Sequence, residues 1–353
     1  MKTFGRYLWY RLENSALRTL IITVLSVILS QSVISEQIND HTPENLRYID
    51  SGIYILAIVL GIVFTLIPIL ETTCFKNRRN LDTLYFFPIK REKLAIVHYL
   101  SGLIQAAFVY TVTFVAAHIL LAARTDFFAL SYMPLYFFLS LLLGIVIYSF
   151  VIFIFGQANT VADGVVMTIL WMFAIALAVY AIQTFLEPIY MRNMQPESYQ
   201  TYILMRRMSL IPEWGILYAP INNLTVIFQS LIESNQSSWN EFAYAKTYLE
   251  QFYFFIIWGL IGIACTVGYF ITFVKKGAHK AGEITHSYFG YRLLIPLYGY
   301  SLLMIIGSLE IVTVLVFMMM IIGYIIYRRG FKLRVSDLVV TALGTIPLLL
   351  GML

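Results

Sequence analysis

Few residues in this chain have a type and spacing that could do chemistry. The five histidines are His41, His98, His118, His279 and His286, and no two stand at the i, i+4 spacing that a helical zinc site uses. The sequence has no Gly-rich phosphate loop ending in Lys-Ser/Thr, no His-Glu-x-x-His and no Gly-x-Ser-x-Gly. Its two cysteines, Cys74 and Cys265, have neither metal-site nor redox-pair spacing and read as unpaired thiols. One stretch differs from this sparse background. Between 71 and 93, ETTCFKNRRNLDTLYFFPIKREK, the basic residues Lys76, Arg78, Arg79, Lys90, Arg91 and Lys93 flank a short amphipathic piece with Leu81, Leu84, Tyr85 and Pro88 at helical spacing. Pro88 stops or bends that helix, and a new apolar run opens at Leu94. A small apolar face with a charged rim suits docking of a soluble partner and is poorly suited to catalysis.

The elements that must position this stretch are membrane spans. Of 353 residues, 60% are hydrophobic and 12% charged, against roughly 45–50% and about 25% in soluble domains. A body of that composition cannot cover its apolar surface with polar groups, so its solvent must be largely lipid. The net charge of +5 does not point to nucleic acid, because the cations fall in short clusters beside apolar runs. The expected spans cover 17–35, 52–70, 94–121, 133–155, 164–185 and 252–274, followed by 293–309, 311–327 and 338–353. The pair 293–309 and 311–327, parted only by Glu310, is either a tight helical hairpin or one long bent helix, and the hairpin is favoured. Residues 1–16 are expected as a separate amphipathic helix lying on the membrane, with Phe4, Leu8 and Leu12 on one face and Arg11 snorkelling beside it. The first apolar run has no small-residue cleavage site after it and reads as a retained span.

Charge asymmetry sets the expected orientation. With the N-terminus inside, 18 of the 24 Lys and Arg fall on inner segments: 1–18, 76–93, 275–292 and 328–334. That bias is the positive-inside pattern, and nine spans then leave the C-terminus outside. Ionisable residues within the apolar runs are few. Glu71, His98, His118, Glu187 and Glu310 all lie near span ends and are expected to reach water there. This scarcity speaks against an ion-coupled transporter, which keeps carboxylates or broken helices at the midplane.

If transport is the task, its energy must come from another chain, and here the sequence resembles a known family, the permease subunits of type-2 ABC exporters. In that family the first cytoplasmic loop runs from a Glu closing the second span, through basic residues, to a Leu/Pro-Ile/basic sequence leading into the third. This chain has, in that order, Glu71, Arg78-Arg79, then Leu84-Tyr85-Phe86-Phe87-Pro88-Ile89-Lys90-Arg91 and Leu94. The resemblance implies a coupling helix over 78–93 that inserts into a groove on a separate ATPase subunit. It also implies that 1–16 is an elbow helix and that 186–251 holds extracellular re-entrant helices. Lys275 to Phe289 is similar to the basic connector of a Firmicutes-like subgroup, with Lys280-Ala281-Gly282-Glu283 and Phe289 matching but Ala278-His279 where that subgroup often has Ser-Glu. The likeness covers about residues 1–292.

The sequence therefore leads to an all-α polytopic membrane protein: an elbow helix (1–16), a six-span permease core (17–274), a cytoplasmic connector (275–292) and about three further spans (293–353). The expected docking surface is Leu81, Leu84 and Tyr85 with Pro88 and Ile89, rimmed by Arg78, Arg79, Lys90 and Arg91, and Glu71 is the candidate polar gate or helix-end residue. The expected partners are ABC ATPase subunits, which would bind the ATP and Mg that this chain does not, together with a second permease subunit, the same or different, and membrane lipid. The expected location is a bacterial plasma membrane. The competing expectation is a non-transport sensor or assembly protein that binds its partner through 186–251.

Overall fold

A computed structural model of the chain describes residues 2–40, 50–77, 89–124, 133–191, 241–276, 282–283, 285, 287–306, 311–328, 330–331 and 333–346. Among the described residues there is no strand. The helices are α1 (Lys2–Asp40), α2 (Asp50–Thr72, continued by the 3-10 turn Thr73–Lys76), α3 (Arg91–Arg124), α4 (Met133–Gln157), α5 (Val161–Met191), α6 (Glu241–Lys275), α7 (Tyr291–Ile306), α8 (Ile311–Arg328) and α9 (Val335–Leu343). Seven of the described helices, α1–α6 and α8, are long and apolar enough to cross a membrane, and α7 is a shorter apolar helix. The chain is an all-α protein with the make-up of a multi-pass membrane protein.

The expected break between a surface helix over 1–16 and a span over 17–35 is absent, because one helix runs unbroken from Lys2 to Asp40. No proline or glycine interrupts the 12–24 stretch, so nothing local ends a helix there. Likewise α5 and α6 extend into the long connector expected over 186–251, and only 192–240 of that segment lies outside the described residues. α7 and α8 pack on each other through Leu303 and Val316, as two helices rather than one, and 307–310 between them lies outside the described residues.

The helices form two compact units, α1–α4 with α6, and α5 with α7–α9. In the first unit α1 turns its small polar side to the protein. Ser15, Thr19, Thr23, Ser26 and Ser30 are buried, while Leu17, Leu20, Leu25 and Ile28 are exposed. The hydroxyls of Ser15, Thr19 and Thr23 bond back to carbonyls one turn earlier, so burying them leaves no orphan donor. Small residues let α1 lie close against α3, and the larger aliphatic side chains face outward, as suits a helix whose solvent is acyl chain. Gly102 of α3 serves the same end. A Cβ there would collide with the Tyr148 hydroxyl of α4 and stand 3.4 Å from Cγ of Glu71.

In the second unit Trp171 of α5 donates to the Phe289 carbonyl (2.7 Å) and Tyr298 of α7 donates to the Leu170 carbonyl (2.6 Å). Asp163, in the first turn of α5, accepts from the Thr285 and Tyr291 hydroxyls. Arg328, ending α8, forms a two-pronged pair with Asp337 at 2.5 and 2.7 Å, and Asp337 also accepts the Arg334 backbone N–H to cap α9.

Candidate functional site

The segment singled out by sequence enters and leaves through well-packed anchors. Arg78, Arg79, Leu81, Leu84, Tyr85 and Pro88 lie outside the described residues. Ile89 is half-buried and packs on the cluster of Tyr7, Leu94 and Val97, joined by Phe75 and Phe273. Lys90 is exposed, and its carbonyl accepts the Leu94 N–H at 3.0 Å, opening α3. Arg91 is the first residue of α3 and its side chain is exposed. On the entry side the 3-10 turn Thr73–Lys76 brings Lys76 inward. The Lys76 ammonium is buried, donates to the Phe155 carbonyl at 2.6 Å and lies 4.8 Å from the Phe155 ring centroid.

That contact has a companion. Lys276, just past α6, donates to the Gly156 carbonyl at 3.0 Å. The last turn of a helix exposes unpaired carbonyls and a partial negative charge, and both are met here by ammonium groups. The C-terminal end of α4 is thus tied to the residues that follow α2 and α6. Sequence reasoning assigned both lysines to the oriented basic loops. Their partner is a backbone carbonyl far along the chain, which side-chain type alone does not announce.

One residue before the end of α2, Glu71 is completely buried. It does not reach water at the span end, and neither does His98, which is equally buried. Burial of a carboxylate demands partners, and α1 supplies them. Arg11 donates to Oε1 from Nη2 (2.6 Å) and Nε (3.2 Å), and Arg18 donates to Oε2 from Nη2 (2.9 Å). Arg18 Nη2 also reaches Gln105 Oε1 at 2.8 Å, which Thr19 contacts at 3.2 Å, and Gln105 donates onward to Ser101. His98 Nδ1 stands 3.4 Å from Oε1 of Glu71 and Nε2 stands 3.3 Å from the Tyr7 hydroxyl. The Tyr7 contact is the hydrogen bond of the ring, while Nδ1 is buried beside the carboxylate without a hydrogen-bond partner among the described residues.

This cluster joins α1, α2 and α3 at the point where the chain leaves α2 for the basic segment. Arg11, expected to snorkel, instead turns onto Glu71, because a long stem that reaches a buried carboxylate gains a charge-assisted bond that solvent does not equal. Arg18, Gln105 and Lys76 were not among the expected site residues. The sequence carried one signal for the first of these: Arg11 and Arg18 are seven apart, two turns on one helical stripe, with a membrane-facing helix between them. Among the described residues no group of His, Cys, Asp and Glu is arranged to hold a metal ion. Cys74 and Cys265 are free thiols.

No family model, curated protein or solved structure matches this chain.

Proposed function

We propose that the chain is the membrane-spanning permease subunit of an ATP-driven ABC exporter, carrying no ATPase site of its own and working with separate ATPase subunits. In this reading the segment 78–93 docks on an ATPase that binds ATP and Mg, and a second permease subunit, the same or different, completes the pathway. The cargo is amphipathic or apolar: a peptide, an antibiotic or a lipid-like molecule. The setting is a bacterial plasma membrane with the N-terminus and the basic segments in the cytoplasm.

The observation that carries the proposal is how the two ends of the basic segment are held. At one end Lys76 is clamped to α4 and Glu71 to α1, and at the other Ile89 is wedged against α1 and α3. A force applied to 78–88 therefore meets four helices through short contacts to buried Glu71 and Lys76 and through Ile89. Such contacts favour rigid-body tilting of spans over local yielding of a loop. The order of Glu71, Arg78-Arg79, Pro88-Ile89 and Lys90-Arg91, which resembles the coupling loop of type-2 ABC permeases, supports the same reading.

The test is purification of the intact complex from native membranes, followed by the Arg78→Glu, Arg79→Glu double variant. Wild type is expected to bring down a Walker-motif ATPase, and the double variant to lose it together with export while remaining in the membrane. Undiminished co-purification and export in the variant would defeat the proposal.

A further inference from the structure

The ion cluster is unbalanced. Arg11 and Arg18 share a single carboxylate, and Arg18 Nε is buried with no hydrogen-bond partner. The bonds that exist use Nε and Nη2 of Arg11 and Nη2 of Arg18, so among the described residues the Nη1 group of each guanidinium has no partner. These side chains are not sealed in. Arg11 is 22% and Arg18 32% exposed, whereas Glu71 is 0%. A positive surplus with spare donors is thus partly accessible beside α1.

What lies on the C-terminal side of that opening is apolar. Positions 11, 18, 25 and 29 fall on one stripe of a 3.6-residue helix; Leu25 and Leu29 on it, and Ile28 beside it, are exposed. The rise from Arg18 to Leu29 is about 16 Å, close to the roughly 15 Å depth of one hydrocarbon leaflet. Leu17 and Ile21, which flank Arg18, are exposed too. Exposed Asn14 borders the site between the two arginines, and exposed aliphatic side chains border it from Leu17 onward. An amphiphile matches it along its whole length, with charge at one end and chain below.

We propose that this face of α1 binds an anionic phospholipid, its phosphate seated against the free guanidinium nitrogens of Arg11 and Arg18 and an acyl chain lying along Leu25, Ile28 and Leu29. The lipid supplies the negative charge that Glu71 alone does not. Its headgroup braces the cluster that joins α1 to α2 and α3, so the helix contact becomes sensitive to the anionic lipid content of the membrane. The proposal does not depend on the transport reading.

The experiment uses the full-length protein in a neutral detergent. Thermal unfolding is followed with added dihexanoyl phosphatidylglycerol, dihexanoyl phosphatidylcholine or inorganic phosphate. The glycerol lipid is expected to raise the midpoint, with the choline lipid and phosphate alone giving no comparable rise. Arg18→Gln is expected to raise the half-effect concentration of the glycerol lipid by about tenfold, as loss of one charge-assisted contact implies. Arg6→Gln, an exposed cation of the same helix lying off the stripe, is expected to leave it unchanged. An equal response to the choline lipid, an equal loss in both variants, or a full response to phosphate alone overturns the lipid assignment. Should Arg18→Gln not fold, native mass spectrometry of wild type decides: from an equimolar mixture of the two lipids in long-chain form it must retain the anionic one preferentially, and equal retention overturns the proposal.

Discussion

Glu71 Oε1 lies 2.6 Å from Nη2 of Arg11, a residue sixty positions earlier in the chain, and the carboxylate cannot be lost without stranding that guanidinium. Pairing buried charges costs desolvation that the attraction only roughly repays, but breaking one partner away is expensive. Glu71→Gln keeps the shape and removes the charge, leaving two guanidinium groups against an amide. The expected outcome is a loss of about 3–5 kcal/mol, the range for breaking a buried ion pair. A thermal unfolding series on the purified protein checks it. Adding Arg11→Met to Glu71→Gln should recover part of that loss, since one uncompensated charge then goes. A double variant that is weaker than Glu71→Gln by the full cost of Arg11→Met alone would show that the two residues are not coupled.

Gly102 sits where α2 and α4 both crowd α3. In Gly102→Ala the new methyl must displace the Tyr148 hydroxyl, which is itself fixed by donation to the Tyr99 carbonyl at 2.9 Å. Overpacking of this kind costs about 1–3 kcal/mol. Tyr148→Phe removes the obstructing oxygen, so the pair Gly102→Ala, Tyr148→Phe should be less destabilised than the sum of the two single changes. Additive losses, read from unfolding midpoints of all four proteins, would mean that the collision is absorbed elsewhere.

The helices were legible because runs such as 133–155 and 164–185 are apolar on every side, and in lipid a chain of that kind has no alternative to internal hydrogen bonding. Their ends were less so. Nothing in the types of residues 12–17 separates a surface helix from a span, and α1 passes straight through. The ion cluster was invisible for a different reason. Glu71 reads as a span-end residue, Arg11 as a snorkelling side chain of a surface helix and Arg18 as one more inner cation, and only the approach of α1 to α2 and α3 places them within bonding distance. The clamp on α4 was hidden twice over, since Lys76 and Lys276 also satisfy the topology rule that explained them away, and their acceptors are carbonyls that every residue carries.

Lys76 tests the clamp. Its ammonium is buried and meets the Phe155 carbonyl, so Lys76→Met leaves an acceptor at the end of α4 without that donor. The expected loss is about 1–3 kcal/mol, the cost of an unmade buried bond. If the clamp carries force from the basic segment, the same variant should keep ATPase association and lose export more than proportionally to its loss of folded protein. Export per folded molecule equal to wild type would detach the clamp from coupling.

Lys90 is exposed at the start of α3 and gives a direct test of orientation. With both native cysteines replaced by serine and Lys90→Cys introduced, a membrane-impermeant maleimide is expected to leave intact cells unlabelled at this position and to label inverted vesicles. Labelling of intact cells would place the basic segment outside and remove the cytoplasmic ATPase as its partner.

Asp337 provides the pH-dependent element. The Arg328 guanidinium beside it holds its carboxyl below the ordinary carboxylate range, with the Arg334 N–H adding to that effect. A carboxyl whose folded-state value is lowered contributes stability that is fully present above its unfolded value, about 3.9, and that fades as pH falls through the folded value. Wild type is therefore expected to lose stability between about pH 4 and lower values through this pair. Asp337→Asn gives up that contribution at neutral pH, because the amide neither balances Arg328 nor accepts as strongly from the α9 cap. Plotted against pH, the stability gap between wild type and Asp337→Asn should be constant from pH 7 down to about 5 and should narrow below about 4. The comparison isolates Asp337 from every other carboxylate that titrates in the same window, because those remain in both proteins. A gap that widens on acidification would reverse the sign and leave the Arg328 pair without a stabilising role.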